Sequence, residues 1–373
     1  MTGSSTPQVD AIEVAVYQIP TDAPESDGTL AWDSTTFVVV QARAAGTTGI
    51  GYTYAGTSAA TVVEEKLSGT VEGGDALTPQ ASWAAMQHAV RNLGRPGVVA
   101  EAISAVDVAL WDLASRLREV PLTLAIGAVH ETMPVYGSGG FTSYDDQQLA
   151  DQLSGWVEGG IPRVKIKVGR DPDQDEHRLQ VARDAIGPDV ELFVDANGAY
   201  SGKQALRALR DAQDGGADVT WFEEPVPSED LTGLRLVRQQ VDADVAAGEY
   251  GSDLVYLRRM CEAGAVDCLQ ADATRLGGYT EWLRGAAVAA SFGLDVSAHC
   301  APNLHAHVAT AVPNLRHIEW FHDHVRIERM LFRCALDPRG GTVTPDRARA
   351  GHGLTFDDAA AAPYVVRPDG AAP

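Results

Sequence analysis

Cysteine is scarce in this 373-residue chain: Cys261, Cys268, Cys300 and Cys334 are the only four, and none forms a CxxC pair or shows zinc-type spacing. This pattern excludes a disulfide framework and a thiolate zinc site, and it predicts reduced core or near-core residues of a cytoplasmic protein. Positive charge is also short, with 29 Lys and Arg against 51 Asp and Glu and a formal net charge of −22 at pH 7. That balance excludes nucleic acid or an anionic membrane as the main partner, because both need basic surface. A small anionic substrate stays admissible where a metal or local lysines supply positive charge. No apolar run approaches bilayer length. The opening "MTGSSTPQVD" has neither a basic n-region nor an apolar h-region, so no secretory signal is expected there.

What is present divides into two rhythms. "AIEVAVYQI" (11–19), "TTFVVVQARA" (35–44) and "GIGYTYAG" (49–56) are β-branched and partly alternating, and predict a small antiparallel sheet. Between the first two, residues 20–34 are rich in Pro, Asp, Ser and Gly and read as loop. A helix is predicted over roughly 99–118, where Val99, Ile103, Val106, Leu110, Leu113 and Leu117 form one apolar stripe closed by Pro121. From about residue 133, short apolar strands alternate with helical stretches: "PVYGSGG", "RVKIKVG", "ELFVDANG", "VTWFEEPV", "DVAAGEY", "VDCLQAD", "LDVSAH" and "RHIEW". Eight βα-length units in succession predict a closed parallel (β/α)8 barrel of the TIM type. The expected division is an α+β capping domain over 1–128, the barrel over 129–329, and a loop-rich segment over 330–373 that returns to the cap.

In such a barrel the chemistry sits at the carboxyl ends of the strands. The predicted strands end, in order, with Lys165 and Lys167, Asp195 and Asn197, Glu223 and Glu224, Glu249, Asp272, His299 and Glu319. Each has an ordinary structural explanation: Asp195 could hold a turn, Glu223 could sit at a solvated rim, and His299 could be a satisfied core histidine. Repeated around one mouth, the same register argues for a site. Lys165 and Lys167, two apart on a strand, share a face. Desolvation and mutual repulsion both lower a lysine's pKa, so such a pair belongs either at a surface edge or at a site that uses an uncharged lysine.

Three carboxylates converging without a cation would repel. Asp195, Glu223 and Glu249 offer only hard oxygen ligands, which suits Mg²⁺ and argues against zinc. The tandem "HAH" (His305, His307) and "HDH" (His322, His324) read as rim or loop residues, since no Cys or third ligand accompanies them at a suitable spacing.

These residues resemble the enolase superfamily, and within it the mandelate racemase subgroup. "SAVDVALWDLASRLREVPLTLAIG" (104–127) is similar to the family's cap-to-barrel signature, and "KIKVG", "VDANGAY", "WFEEPV", "GE" (248–249), "DATRLGG" and "SAH" follow in the family's order. "AIGA" (125–128) departs from the family's LLGG-like turn, which touches packing and not chemistry. The resemblance implies Asp195, Glu223 and Glu249 as Mg²⁺ ligands. It implies Lys167, with Lys165 beside it, as one acid/base, and His299 held by Asp272 as the other. Glu319 would be a hydrogen-bond donor or electrostatic partner to a substrate carboxylate. Relatives that racemise amino-acid derivatives often carry a lysine on the sixth strand; Asp272 with His299 stands in its place here.

The implied reaction begins with removal of a proton α to a carboxylate, with charge development stabilised by the metal. Lys165 is expected to depress the pKa of Lys167 toward the neutral form of a base. The two bases then allow dehydration to a 2-keto-3-deoxy acid, racemisation or epimerisation, or cycloisomerisation. Residues 20–34 carry Asp22, Glu25, Asp27 and Asp33 and no Lys or Arg, so a closing loop would suit a polyol chain better than a second carboxylate. Asn197, Trp32 and Tyr54 are the expected substrate contacts. The leading expectation is a sugar-acid dehydratase acting on a monocarboxylic acid, a homo-oligomer by family analogy. The contrasting class is a non-catalytic sugar- or metal-binding barrel, whose usual trace, a missing ligand or base, is absent from this sequence.

Overall fold

The computed structural model describes residues 6–366. Residues 1–5, read above for a secretory signal, and residues 367–373 of the expected returning segment lie outside that range. The chain opens with an antiparallel meander of β1 (Ala11–Ser26), β2 (Ala31–Ala44) and β3 (Thr47–Thr53). Ala45 and Gly46, at φ 48° and 76°, make the two-residue turn whose twist suits a tight β2–β3 hairpin. Residues 20–34 are not the loop their composition predicts. Both strands continue into them, and the β1–β2 ladder is irregular only between Pro20 and Glu25, where Pro20 has no N–H to give. The hairpin tip is closed by Asp27, whose Oδ1 accepts the backbone N–H groups of Thr29 at 2.6 Å and Leu30 at 2.7 Å. A Cβ on Gly28 would lie 2.3 Å from the Ala196 carbonyl oxygen, so the bare tip docks directly on the barrel.

The long helix α1 (Val98–Leu117) is buried on more than the one stripe expected: every residue from Ala102 to Ser115 is buried. It is pressed between two layers. Gly49 and Gly51 of β3 let the sheet backbone approach it, since a Cβ there would lie 2.3 and 2.2 Å from the carbonyl oxygens of Ala109 and Ala105. On its other side, Asp107 accepts the N–H of Thr280 at 2.9 Å and its hydroxyl at 2.7 Å, at the start of α2 (Gly278–Ser291).

The remaining strands are β4 (Met133–Ser138), β5 (Arg163–Lys167), β6 (Glu191–Asp195), β7 (Val219–Glu223), β8 (Asp244–Ala247), β9 (Cys268–Ala271), β10 (Asp295–Ala298) and β11 (Leu315–Phe321). They pair in parallel in that order, and β11 pairs back on β4 to close the barrel. Buried on both faces, they are the near-continuous apolar runs that parallel strands require. Tyr136, Phe193, Trp221, Ala246 and Cys268 fill the interior as one cluster beneath the mouth. Among the described residues no helix is long and apolar enough to cross a membrane. Cys261, Cys268 and Cys300 are buried free thiols, whereas Cys334 departs from expectation and is exposed.

After α3 (His322–Leu331), Phe332–Arg333 pairs antiparallel with Thr355–Phe356, and the segment returns to the cap. The junction centres on Asp112 of α1, which is fully buried. It accepts the N–H of Ile50 at 2.9 Å, the N–H of His352 at 2.8 Å and Arg116 Nε at 2.7 Å, tying sheet, helix and returning segment together. Removing one partner of a buried charged network typically costs about 3–5 kcal/mol. Asp112→Ala is therefore expected to lower unfolding stability by roughly that amount in urea titration; a loss below about 1 kcal/mol would show that the junction is not structural.

Candidate active site

Strand register sets the first half of the site. Lys167 of β5 is paired with Asp195 of β6, and Asp195 with Glu223 of β7, so three ionisable ends stand at one level. The next ends need special backbone. Gly248, at φ 130°, turns the chain after β8, and a Cβ there would sit 2.2 Å from the Gln270 carbonyl oxygen; only glycine permits the bend that delivers Glu249. Beyond β10, Cys300 and Ala301 adopt φ 49° and 38° and turn the chain sharply after His299. Such strain in non-glycine residues is held by surrounding contacts, here Cys300 N–H on Glu319 at 2.9 Å.

The lysines share one face, as their spacing predicts. Lys165 Nζ lies 2.5 Å from Glu223 Oε1, 2.8 Å from Glu319 Oε1 and 3.4 Å from Asp195 Oδ2; Lys167 Nζ lies 2.6 Å from Asp195 Oδ2. His299 Nδ1 is 2.8 Å from Asp272 Oδ2, and its Nε2 is 3.3 Å from Glu249 Oε2. Asp272 is itself fixed by the N–H and hydroxyl of Thr274, both at 2.7 Å. Lys167, His299, Glu249, Asn197, Trp32 and Tyr54 line a cavity of about 420 Å³ under the cap hairpin. Lys165, Asp195, Glu223, Asp272 and Glu319 are buried just beneath its lining.

The Lys167 expectation needs correction. Burial and Lys165 both push the Lys167 pKa down, but Asp195, with Glu223 and Glu319, outweighs them and raises it. Without a cation on the carboxylates, the lysine pair is held charged. For Glu319, burial opposes ionisation, yet Lys165, His299 and Lys167 hold its pKa well below the usual value in the absence of a cation, which favours the electrostatic role over the donor role. It accepts from Ser138 Oγ at 2.6 Å and from Cys300 N–H, anchoring the floor beside Lys165.

The tandem histidines also differ from the rim residues expected. His305 and His307 are buried in the short helix Pro302–Val308. His305 Nε2 accepts the Ala273 N–H at 2.9 Å while Nδ1 donates to the Cys300 carbonyl at 2.7 Å, which fixes a neutral ring behind Asp272. His324 stacks on Tyr54, with ring centroids 3.3 Å apart, and lines the cavity. Residues not singled out from sequence also reach the lining, notably Arg275 and Asp323. Arg275 Nη1 is 3.4 Å from Glu249 Oε1; its place in "DATRLGG", three residues past Asp272, was the available signal.

Asp195, Glu223 and Glu249 can each present a ligand oxygen within 4.8 Å of the others. Glu249 Oε2 is buried and, beyond the contact with His299 Nε2, makes no hydrogen bond. Burial and repulsion from Asp195 push Glu223 up to about 8, and burial with Glu249 and Asp195 raises neighbouring Glu224 well above its ordinary value. The donor set is all carboxylate and short of compensating charge, which fits a hard divalent cation such as Mg²⁺.

Comparison with known proteins identifies the family. The "Mandelate racemase / muconate lactonizing enzyme, N-terminal domain" family matches residues 11–127, and the "Enolase C-terminal domain-like" family matches residues 148–360. A 3,6-anhydro-alpha-L-galactonate cycloisomerase from Streptomyces coelicolor is 30% identical over 356 residues, covering 94% of this chain and 97% of that protein. An L-talarate/galactarate dehydratase from Salmonella typhimurium is 32% identical over 272 residues, 71% of this chain and 65% of the other. Among solved structures, a mandelate racemase/muconate lactonizing enzyme-like protein from Rubrobacter xylanophilus is 52% identical with a TM-score of 0.94, covering 96% of this chain and 100% of that one. A racemase from Streptomyces coelicolor A3(2), solved with bound magnesium, is 29% identical with a TM-score of 0.90 over 96% of this chain and 100% of its own.

Calorimetric titration with magnesium is expected to give one ion per chain, with Glu249→Gln weakening binding by at least about tenfold, since even residues that only support a ligand contribute that much. Equal affinity in the two proteins would remove Glu249 from the ligand set.

Proposed function

The chain belongs to the mandelate racemase/muconate lactonizing enzyme family of the enolase superfamily, and from that membership we propose that it is a magnesium-dependent sugar-acid dehydratase. The observation that carries the reading is the placement of Lys167 and His299 in the lining of one cavity, on β5 and β10, with the Asp195, Glu223 and Glu249 ends of β6 to β8 between them. Two proton-transfer groups on separate walls address opposite sides of a substrate carbon. When bound, Mg²⁺ supplies a Lewis acid that stabilises negative charge developing on the substrate carboxylate.

The protein's own groups do the rest. With Asp195 committed to a cation, Lys167 loses the attraction that keeps it protonated, while Lys165 and burial continue to favour its neutral form. Asp272 fixes the tautomer of His299 and leaves Nε2 toward the mouth. One of the pair takes the α-proton; the other gives a proton to the departing β-hydroxyl, which leaves as water. The remaining enol becomes a 2-keto-3-deoxy acid.

The cavity favours a monocarboxylate. Leu30, Trp32, Tyr54 and Phe321 supply apolar walls; Ser34, Thr35 and Thr36 on the cap side, and Asp323 at the start of α3, supply partners for substrate hydroxyls. The lining cations are Lys167 and Arg275, and Arg275 is engaged by Glu249 and Asp272, at 3.4 and 3.9 Å. No cation is left in the lining for a second substrate carboxylate. The near-full-length similarity to an anhydro-sugar-acid cycloisomerase favours one second reading, in which a ring oxygen is eliminated in place of a hydroxyl.

Semicarbazide detection of 2-keto acids, with proton NMR of the products, decides between them. Aldonates are expected to yield 2-keto-3-deoxy acids, and Lys167→Ala and His299→Asn each to lower kcat by about 10²–10⁴-fold. Turnover confined to anhydro-sugar acids would replace dehydratase by cycloisomerase. No turnover of any sugar acid, with magnesium bound, would contradict both.

A further inference from the structure

Along the sequence "HDH" has no companion ligand, but the fold supplies two. His322, the first residue of α3, meets Asp22 and Glu25 from the stretch of β1 where the ladder with β2 is irregular. One ligand atom from each residue lies within 4.8 Å of the others. His322 Nε2 and Asp22 Oδ2 are 2.9 Å apart near the surface. Glu25 is only 1% exposed: its Oε2 accepts Trp32 Nε1 at 2.8 Å, and its Oε1 is buried with no hydrogen-bond partner. A buried carboxylate beside others is costly unless paired. Burial, with repulsion from Asp323 and Asp22, pushes Glu25 up to about 8. Arg326 is the cation at hand, but its Nη2 is taken by Asp323 Oδ1 at 2.6 Å and the Pro20 carbonyl at 2.7 Å.

We infer that Asp22, Glu25 and His322 form a second divalent-cation site, of zinc type, that clamps the cap hairpin to the barrel. One imidazole with two carboxylates is softer than the all-oxygen trio at the mouth, which selects a zinc-class ion over magnesium. The site is separate from that trio: the two groups share no residue, and His322 lines a different cavity, with Trp156, Trp320 and Arg326. Its influence passes through Trp32. An ion on Glu25 fixes the carboxylate that holds the Trp32 indole, and Trp32 is a wall of the substrate cavity. The inference needs no step of the proposed reaction.

The test is a zinc titration by calorimetry on the full chain with magnesium present. Zinc can also meet His299, Cys300 and Glu319, so the site is read as a difference between variants. Asp22→Asn and His322→Ala are each expected to lose one ion per chain, or to bind it at least about tenfold more weakly. His177→Ala, which breaks a different exposed His–Asp pair with Asp146 at 2.8 Å, should leave the titration unchanged. Unchanged zinc binding in Asp22→Asn and His322→Ala, or an equal loss in His177→Ala, overturns the site. Hydrogen exchange reads the clamp: zinc is expected to slow exchange over residues 20–34 in the parent protein and not in Asp22→Asn. Absence of slowing in the parent overturns the clamp.

Discussion

Too many carboxylates in too little water is the condition on which this molecule is organised. Asp195, Glu223, Glu224, Glu249, Asp272 and Glu319 are all buried at one end of the barrel. Against them stand Lys165, Lys167, Arg275 and His299. In low dielectric that imbalance cannot be left uncompensated. Burial and mutual repulsion disfavour the ionised forms of Glu223 and Glu224. A dication on Asp195, Glu223 and Glu249 would meet the imbalance, and would weaken the hold of Asp195 on the Lys167 proton. The cost of the buried charge and the chemistry of the site are thus two aspects of one arrangement.

The rest of the fold holds that arrangement dry and fixed. The aromatic layer of Tyr136, Phe193 and Trp221 closes the barrel beneath it, with Lys165 Nζ 5.4 Å from the Tyr136 ring centroid. The cap hairpin closes it from above, docking its tip through Gly28 and presenting Trp32 and Leu30 to the cavity. The cap in turn is held by α1, whose Asp107 fastens to α2 and whose Asp112 fastens to the returning segment. Displacing any of these contacts admits water to charges whose interactions depend on its exclusion.

Much of this was legible in sequence, for a physical reason. Parallel strands buried on both faces must be short apolar runs, so chargeable residues gather mostly toward their ends, and the run-then-charge pattern from "KIKVG" to "SAH" marked both barrel and site. Lysine usage held a further signal: only four lysines occur in the chain, and two of them are Lys165 and Lys167. The illegible parts depend on partners remote in sequence. Pro and Asp in residues 20–34 indicate loop locally, and nothing local shows that a bare Gly28 will seat on Ala196. The Lys167 shift was misjudged because the like charge two residues away is visible in sequence, while the stronger Asp195 contact arises only through strand pairing. His322 likewise finds Asp22 only across the closed structure.

The central claim is that the carboxylate trio is a cation site and not a self-contained ion-pair network with the lysines. Anomalous diffraction from crystals grown with Mn²⁺ in place of Mg²⁺ tests it most directly. The account predicts a strong anomalous peak coordinated by Asp195, Glu223 and Glu249. A map with no peak there, and with Lys165 and Lys167 remaining the only cationic partners of Glu223 and Asp195, would contradict it.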